Sequence, residues 1–398
     1  MNSEGQLEKA HEEEEEVVSE EIQYPFYTEG PIELLDARID TANYSLVKAA
    51  ERLQRELDYE NHMDEAEILN QAGNLVLDRS EIGDDRPLSA CSFSYDGNFL
   101  ATCSFTGLAK LWSMPLPNNN KHSIVNHSIV NHSILKAHTE RATDVTFSPV
   151  SNHILATASA DRTAKLWNAD NGLLLQTFQG HLDRLARIAF HPSGEYLATT
   201  SFDKTWRLWD IHTGAGLLLQ EDGHSKSVYG IDFHKDGSLA ASCGLDSLAR
   251  VWDLRTGTSL LALQGHVKPV LGVNFSPNGY HLATCGEDNT CRVWDLRNNN
   301  ECLYIIPAHS NVISQVKFEP EEGSYLVTAS FDMTAKVWSA RDFMPLKTLR
   351  GHEARVTGLD IRSEDGCIAT VSHDRMINLW RTAGQIDDLA LDFMDPGF

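Results

Sequence analysis

Residues 180–210 read GHLDRLARIAFHPSGEYLATTSFDKTWRLWD, and variants of this stretch recur along most of the chain. Its Trp209 belongs to a series with intervals of 55, 42, 43, 42, 44 and 42 residues: Trp112, Trp167, Trp209, Trp252, Trp294, Trp338 and Trp380. A fixed period in the low forties predicts that each repeat folds as one four-stranded sheet. Seven tryptophans therefore predict an all-β ring of seven sheets, a β-propeller.

Two further positions recur with the tryptophan, and together they resemble WD40 repeats. A His-containing turn opens six repeats, and an aspartate follows each His by 22 or 23 residues. Buried polar groups must be satisfied, which predicts tetrads of His, Ser, Asp and Trp. The complete tetrads are expected at His138, Ser159, Asp161, Trp167; His181, Ser201, Asp203, Trp209; His309, Ser330, Asp332, Trp338; and His352, Ser372, Asp374, Trp380.

Three repeats depart from this pattern. Gly244 and Gly286 stand where the serine is expected, which predicts shorter hydrogen-bond networks in those blades. The first repeat has Thr106 in place of the aspartate and no preceding Gly-His pair, so it is expected to be the weakest. A Ser/His/Asp set that recurs with the period of the fold is structural, whereas a catalytic set occurs once.

The distribution of charge separates the ring from its extensions. Residues 1–85 carry a net charge of −18 out of a total of −24, so the rest of the chain is almost balanced. The predicted organisation is an acidic disordered leader (1–23), a helical pre-propeller arm (24–73), the seven-bladed propeller (74–381) and an acidic tail (382–398). Residues 74–80 are expected to form a strand that closes the last blade, because a ring leaves no open sheet edge.

The arm offers one candidate binding surface. Apolar residues recur at helical spacing after Ser45, a candidate N-cap. This stripe either packs on the propeller or docks a partner, and the candidate partner-binding residues are Tyr44, Leu46, Leu53 and Leu57.

The ring offers a second candidate surface. Aromatic residues precede the turn aspartates, and arginines open the innermost strands. Both residue types are enriched in interface hot spots. The candidate top-face residues are Phe105, Arg141, Arg184, Phe202, Tyr229, Phe331, Arg355 and His373.

Motifs of enzymes and cofactor sites are absent from the sequence. It contains no Walker loop, dinucleotide glycine fingerprint, Gly-x-Ser-x-Gly elbow or His-Glu-x-x-His. The insertion of residues 118–135 repeats a His-Ser-Ile-Val-Asn pentad, and its three histidines suggest duplication into a surface loop rather than a metal site. We expect no enzyme activity, cofactor, metal or membrane span, and seven reduced cysteines.

Several passages resemble a particular WD40 family, the pre-mRNA-processing factors of the U4/U6 small nuclear ribonucleoprotein. The matching passages cover roughly residues 24–380 and include IGDDRP (82–87), HPSGEYL (191–197), DKTWRLW (203–209), GLDSLARVW (244–252), NFSPNGYH (274–281) and YIIPAH (304–309). The family's longer N-terminal region and short splicing-factor motif are not found, so the resemblance is to a form with a shortened N-terminus.

The resemblance implies a non-enzymatic scaffold in pre-mRNA splicing, within the U4/U6 and U4/U6·U5 particles of the nucleus. Its implied partners are a companion pre-mRNA-processing factor and a cyclophilin, with U4/U6 snRNA contacted indirectly by a monomeric propeller. Trp252-Asp-Leu-Arg255 and Trp294-Asp-Leu-Arg297 leave open an alternative, because they resemble the Trp-Asp-x-Arg ending of substrate receptors of cullin-RING ubiquitin ligases. A reader of phosphopeptides or histone tails through the arginine-rich top is a third reading.

Overall fold

Seven four-stranded antiparallel sheets form a closed ring. The computed structural model describes residues 31–58, 65–114, 130–220, 223–298 and 301–383, which contain two helices and 28 strands. The innermost strand of each sheet contacts the innermost strand of the next one, and the first sheet contacts the last. The predicted seven-bladed β-propeller is therefore confirmed.

The elements follow the chain in blade order. The helices of the arm are α1 (Ile32–Asp58) and α2 (Glu65–Gly73). Blades 1 to 3 consist of β2 (Leu88–Phe93), β3 (Phe99–Ser104), β4 (Ala109–Ser113), β5 (Val130–Leu135); β6 (Ala142–Phe147), β7 (Ile154–Ser159), β8 (Thr163–Asn168), β9 (Leu174–Gln179); β10 (Leu185–Phe190), β11 (Tyr196–Ser201), β12 (Trp206–Asp210) and β13 (Gly216–Gln220). Blades 4 to 6 consist of β14 (Val228–Phe233), β15 (Leu239–Gly244), β16 (Leu248–Asp253), β17 (Thr258–Gln264); β18 (Val270–Phe275), β19 (His281–Gly286), β20 (Cys291–Asp295), β21 (Cys302–Ile306); β22 (Ile313–Phe318), β23 (Tyr325–Ser330), β24 (Thr334–Ser339) and β25 (Pro345–Arg350).

Blade 7 joins the two ends of the propeller. It consists of β26 (Val356–Ile361), β27 (Ile368–Ser372), β28 (Met376–Thr382) and, as its outermost strand, β1 (Leu75–Ile82). β1 pairs antiparallel with β28, with Leu77 opposite Trp380. The strand expected at 74–80 thus spans 75–82, and it gives β28 a hydrogen-bonded neighbour on its outer side.

The second strand of each blade explains why the sequence between the turns is rich in small residues. Every residue of β11 and β23 is buried, because neighbouring blades cover both faces of these strands. Alanine, serine and threonine side chains let the sheets approach closely. The indole rings of the tryptophan series then fill the space between adjacent blades, where each ring is buried.

The hydroxyl of each tetrad comes from a different residue than the sequence suggested. His181 contacts Asp203 Oδ2 through Nδ1 and Thr199 Oγ1 through Nε2, each at 2.8 Å, and the Trp209 indole donates to the same Thr199 hydroxyl at 2.8 Å. Equivalent hydroxyls complete the other five tetrads: Thr157, Ser242, Thr284, Thr328 and Thr370. Burial alone would raise the pKa of Asp203, but hydrogen bonds from His181 and Thr205 hold it well below its usual range.

The assignment of Ser159, Ser201, Ser330 and Ser372 to the tetrads is therefore wrong, and so is the expected shortening at Gly244 and Gly286. Residues two apart on a strand point to the same side, so the threonine and the serine were both candidates. Trp209 lies opposite Leu197, which places its indole beside Thr199 and too far from Ser201. Ser201 instead donates to the Arg184 carbonyl and accepts the Asp203 backbone N–H.

Thr199→Val is expected to lower the free energy of unfolding by about 2 kcal/mol, because it leaves a buried imidazole and a buried indole without a hydrogen-bond partner. Ser201→Ala is the matched control and is expected to cost about 1 kcal/mol. Urea denaturation of the two variants measures both values. A larger loss in Ser201→Ala than in Thr199→Val would contradict the assignment.

Blade 1 has its own version of the network. Asp84 stands 28 residues before Trp112, the spacing that separates His181 from Trp209. Its carboxylate accepts hydrogen bonds from Ser104 and Thr106, and it forms an ion pair with Lys110 at 3.0 Å. In blade 1, Asp84 therefore occupies the position of the tetrad histidine, and Thr106 occupies the position of the tetrad aspartate.

The pentad insertion is only partly described. Its third copy forms β5, in which Ser133 pairs with Leu111 and Leu135 is buried, so this copy belongs to blade 1 and not to a surface loop. The first copy and residues 127–129 of the second lie outside the described residues.

Hydrogen bonds between adjacent innermost strands join neighbouring blades around the central channel. At six of the seven junctions in the described ring, a polar side chain on one innermost strand accepts a backbone N–H of the next innermost strand. We call these bonds the channel clasps, and their acceptors and donors are Ser92 and Phe147, Asp144 and Ile188, Asp232 and Phe275, Asn274 and Phe318, Gln315 and Leu359, and Asp360 and Phe93.

The junction between blades 3 and 4 is held differently. The clasp acceptors stand one or three residues before the end of their strand, and in β10 these positions hold Ala189 and Arg187, neither of which can accept a hydrogen bond through its side chain. The junction is joined instead by the Thr200 hydroxyl, which donates to the Tyr229 carbonyl, and by His191, whose Nε2 lies 2.8 Å from the Gly237 carbonyl oxygen. Burial lowers the pKa of His191 to about 4, so this imidazole is neutral at pH 7 and donates as a neutral N–H.

Candidate interaction surfaces

Helix α1 is fixed across blades 3 to 5 by both apolar and charged contacts. Leu34 and Ala37 pack into the core cluster that contains Trp206 and Trp252. Arg52 forms an ion pair with the buried Asp236 at 2.9 Å. A helix anchored in this way presents its outer side chains in a defined position.

A stripe of exposed aliphatic residues runs along the outer side of α1, between charged and polar residues. Large aliphatic residues recur at intervals of seven at Ile32, Ile39, Leu46 and Leu53, with exposures of 76%, 51%, 69% and 50%. We call the arm face the set of exposed aliphatic residues on α1: Ile32, Leu35, Ile39, Leu46, Val47, Leu53 and Leu57. A seven-residue repeat is the pattern by which one helix packs along another, and an exposed patch of this kind is typical of an interaction site.

Two of the expectations for the arm need correction. Ser45 is not an N-cap: the helix begins at Ile32, and the Ser45 hydroxyl donates to the Ala42 carbonyl within it. Tyr44 does not belong to the exposed stripe, because its ring packs 5.7 Å from that of His191. Leu46, Leu53 and Leu57 are exposed. The sequence reading missed Ile32, Leu35 and Ile39, although the seven-residue spacing would have revealed them.

All eight candidate top-face residues line one cavity of about 280 Å³ at the end of the central channel. We call this cavity the upper mouth. Its aromatic residues are fixed by their own backbones: the Phe202 N–H donates to the Arg184 carbonyl, and the His373 N–H donates to the Arg355 carbonyl, each at 3.0 Å. The strand-opening arginine and the residue before the turn aspartate are thus brought together by the fold.

Each of three arginines in the upper mouth lies over an aromatic ring. The Arg184 guanidinium is 3.8 Å from the centre of the Phe202 ring, and the Arg141–Phe105 and Arg355–Phe331 pairs are 5.6 and 5.3 Å apart. Such contacts stabilise a guanidinium in one orientation without neutralising it. Burial, together with the Arg355 cation, lowers the pKa of His373 to about 4. The charge of the upper mouth at pH 7 therefore comes from its arginines.

The two surfaces lie on opposite faces of the ring. Arg184 precedes strand β10, and His191, which contacts the arm, follows it. Six residues of strand separate these positions by about 20 Å. A ligand in the upper mouth and a partner on the arm face can therefore bind at the same time.

The arginines of the two Trp-Asp-x-Arg endings are paired locally. Arg255 donates two hydrogen bonds to Asp253, both at 3.0 Å, and Arg297 donates two to Asp295. These bidentate pairs tie the turn after the tryptophan strand, and this structural role accounts for the motif.

The part of the chain that the structure describes contains neither a group of metal-ligand side chains nor a membrane-spanning helix. No three or more His, Cys, Asp or Glu side chains are grouped there as metal ligands would be. No described helix is both long enough and apolar enough to cross a membrane.

Comparison with known proteins identifies the family of the chain. The WD domain, G-beta repeat family matches at residues 79–113, 130–168, 172–210, 216–253, 257–295, 300–339 and 343–381, one match per blade. The U4/U6 small nuclear ribonucleoprotein PRP4-like protein of Arabidopsis thaliana is 61% identical over an alignment of 397 residues, and the match covers 96% of this chain and 69% of that protein. The chain belongs to the Prp4 family of WD40-repeat proteins.

Two more relatives show how the similarity is distributed within the Prp4 family. The U4/U6 small nuclear ribonucleoprotein PRP4 of Saccharomyces cerevisiae is 42% identical over 379 residues, 92% of this chain and 79% of that protein. The human U4/U6 small nuclear ribonucleoprotein Prp4 matches over 113 residues at 45% identity, 27% of this chain and 22% of that protein. The matches to the plant and yeast members of the Prp4 family extend over the arm as well as the propeller, given the share of this chain that they cover.

Proposed function

We propose that this chain is a non-enzymatic scaffold of the U4/U6 small nuclear ribonucleoprotein and of the U4/U6·U5 particle in the nucleus. Its similarity to Prp4 proteins supports the assembly, and the arm face supports the mode of action. A seven-residue aliphatic repeat on a fixed helix favours the docking of another helix. The partner proposed for this face is an amphipathic helix of the companion pre-mRNA-processing factor.

The charged residues of α1 indicate which side chains the partner helix should carry. Glu33, Asp36 and Asp40 are exposed beside the first half of the aliphatic repeat. The second half is flanked by exposed residues of both charges, among them Glu51 and Arg55. A complementary helix therefore has basic residues opposite the first half of α1 and residues of mixed charge beside its apolar stripe opposite the second half.

Further partners follow from the same proposal. With a net charge of −24, the chain gives no general attraction for a phosphate backbone, so we propose that its association with U4/U6 snRNA is indirect and that the propeller acts as a monomer. The cyclophilin implied by the family resemblance concerns N-terminal segments outside the described residues, and it remains a prediction.

Leu46→Asp/Leu53→Asp is expected to reduce recovery of the companion factor, U4 RNA and U6 RNA at least tenfold when the tagged chain is purified from nuclear extract. Each aspartate places an unpaired charge in an apolar contact. The melting temperature should stay within about 2 °C of wild type, because exposed substitutions change stability little.

The matched control is Val150→Asp/Leu260→Asp, which changes two exposed aliphatic residues outside the arm face. This control should recover both RNAs at the wild-type level. Wild-type protein that recovers a ubiquitin-ligase adaptor and neither RNA would contradict the proposed function. Equal recovery by all three proteins would exclude the arm face as the docking site.

A further inference from the structure

We propose that the upper mouth binds an acidic side chain presented by an extended peptide segment of a partner protein. This inference rests on the proposed scaffold function, for which it names a second contact and the chemistry of its ligand. It concerns the end of the channel opposite the arm.

The charge of the cavity is unlike that of the protein as a whole. The chain carries 57 acidic and 33 basic residues. Four arginines line the upper mouth, and no carboxylate does: Arg141, Arg184, Arg187 and Arg355. A cationic cavity in an acidic protein favours an anionic ligand and raises its local concentration.

Three of these arginines are available to a ligand. Arg187, at the floor, is neutralised by Asp144 at 3.1 Å. Arg141, Arg184 and Arg355 form no ion pair with any carboxylate in the described ranges, and each is oriented by its aromatic ring. Asp183, the neighbour of Arg184 in sequence, accepts the backbone N–H of Arg184. Three oriented and unneutralised guanidiniums around one cavity supply the positive charge and the N–H donors that bind a carboxylate.

The space beside the upper mouth fits an extended chain. A second and wider cavity of about 830 Å³ shares Phe105, Arg141 and Arg184 with it and continues over residues of both charges: Arg86, Glu140, Arg162 and Asp183. The two cavities together form a groove across blades 1 to 3. A peptide can lie along this groove and insert one side chain into the channel end.

The aromatic rings argue against a nucleic acid as the occupant. Single-stranded RNA binds on free aromatic faces, on which its bases stack. Here Phe105, Phe202 and Phe331 already have an arginine over one face, and Phe105 also meets the His373 ring edge-on at 5.2 Å. The rings therefore orient the guanidiniums, which leaves the cations as the recognition groups.

Selection from a library of random 12-residue peptides displayed on phage tests this site with the full chain as bait. We expect the enriched sequences to contain Asp or Glu at one fixed position. The best peptide, labelled with fluorescein, should lose at least tenfold in affinity when that residue is changed to Gln or Asn. Arg141→Gln/Arg184→Gln/Arg355→Gln should weaken binding of the unchanged peptide by a similar factor.

The controls separate this site from the arm face and from folding. Leu46→Asp/Leu53→Asp should bind the peptide normally, and the triple arginine variant should still recover the companion factor and both RNAs. Arg184→Lys keeps the charge and should bind at an intermediate level with an unchanged melting temperature. Enriched peptides without an acidic residue, no enrichment at all, or equal binding by the triple variant would overturn the proposal. So would tighter binding of a 12-nucleotide oligouridine that the triple variant abolishes.

Discussion

Asp144→Ala is expected to lower the free energy of unfolding by about 3–5 kcal/mol, because it leaves the buried Arg187 cation without its partner. Both side chains are at most 12% exposed, and their closest atoms are 3.1 Å apart. Burial alone would lower the pKa of Arg187, but the Asp144 carboxylate raises it, so the arginine stays charged. The same substitution removes the channel clasp to the Ile188 N–H.

A double variant distinguishes the unpaired charge from the lost clasp. Asp144→Ala/Arg187→Met removes the cation as well and should recover about 2 kcal/mol, because an apolar side chain of similar volume needs no partner. Asp170→Ala is the surface control: its ion pair with His153 is exposed and should contribute less than about 1 kcal/mol. Urea unfolding of the four proteins measures these differences. A double variant no more stable than Asp144→Ala would show that the lost clasp, and not the unpaired charge, accounts for the loss.

Trp206→Ala is expected to lower the free energy of unfolding by about 3–5 kcal/mol, as for other large-to-small substitutions of core aromatic residues. Trp206 lies outside the series of seven tryptophans and is 1% exposed. Its ring meets that of Trp252 at 5.8 Å across the junction of blades 3 and 4, where the channel clasp is missing. Its indole nitrogen has no hydrogen-bond partner in the described structure, so the loss is one of packing.

Trp206→Phe keeps an aromatic ring at this junction and should lose less than half as much stability. Hydrogen exchange should locate the effect. In Trp206→Ala, the protection of backbone amides from exchange should fall first in β10, β14 and the first half of α1. These elements contact the core cluster that contains Trp206 and Trp252. Uniform loss of protection around the ring would contradict a special role for this junction.

The ring could be predicted from the sequence because its signals are periodic. The tryptophan interval gave the number of blades, and the need to close the ring placed a strand before the first repeat, where β1 lies. The tetrad hydroxyls were assigned wrongly because two positions on the same strand face the same side. A hydroxyl stands ten residues before every tryptophan of the series, whereas Gly244 and Gly286 interrupt the serine position. The hydroxyl ten residues before each tryptophan was therefore the stronger indicator of the tetrad member.

The candidate surfaces were predictable to different degrees. The eight candidate residues of the upper mouth lie together, because they hold fixed positions relative to the turn aspartate, but Arg187 at its floor was missed. Their ion-pairing state was not predictable, because it depends on side-chain orientation: the Asp183 carboxylate accepts the backbone N–H of Arg184. The arm was found in part: the helix start was placed 13 residues late, at Ser45, where a helix interior resembles a cap in sequence.

The position of β1 in blade 7 has a consequence for synthesis on the ribosome. β1 is among the first described elements to be made, and its partner β28 is the last. At about 5–20 residues per second, roughly 15–60 s pass between the emergence of Ile82 and that of Met376. During this interval the aliphatic edge of β1 has no partner strand. We therefore expect nascent chains of this protein to depend on a chaperone until translation is nearly complete. The ring can close only after blade 7 has emerged from the ribosome.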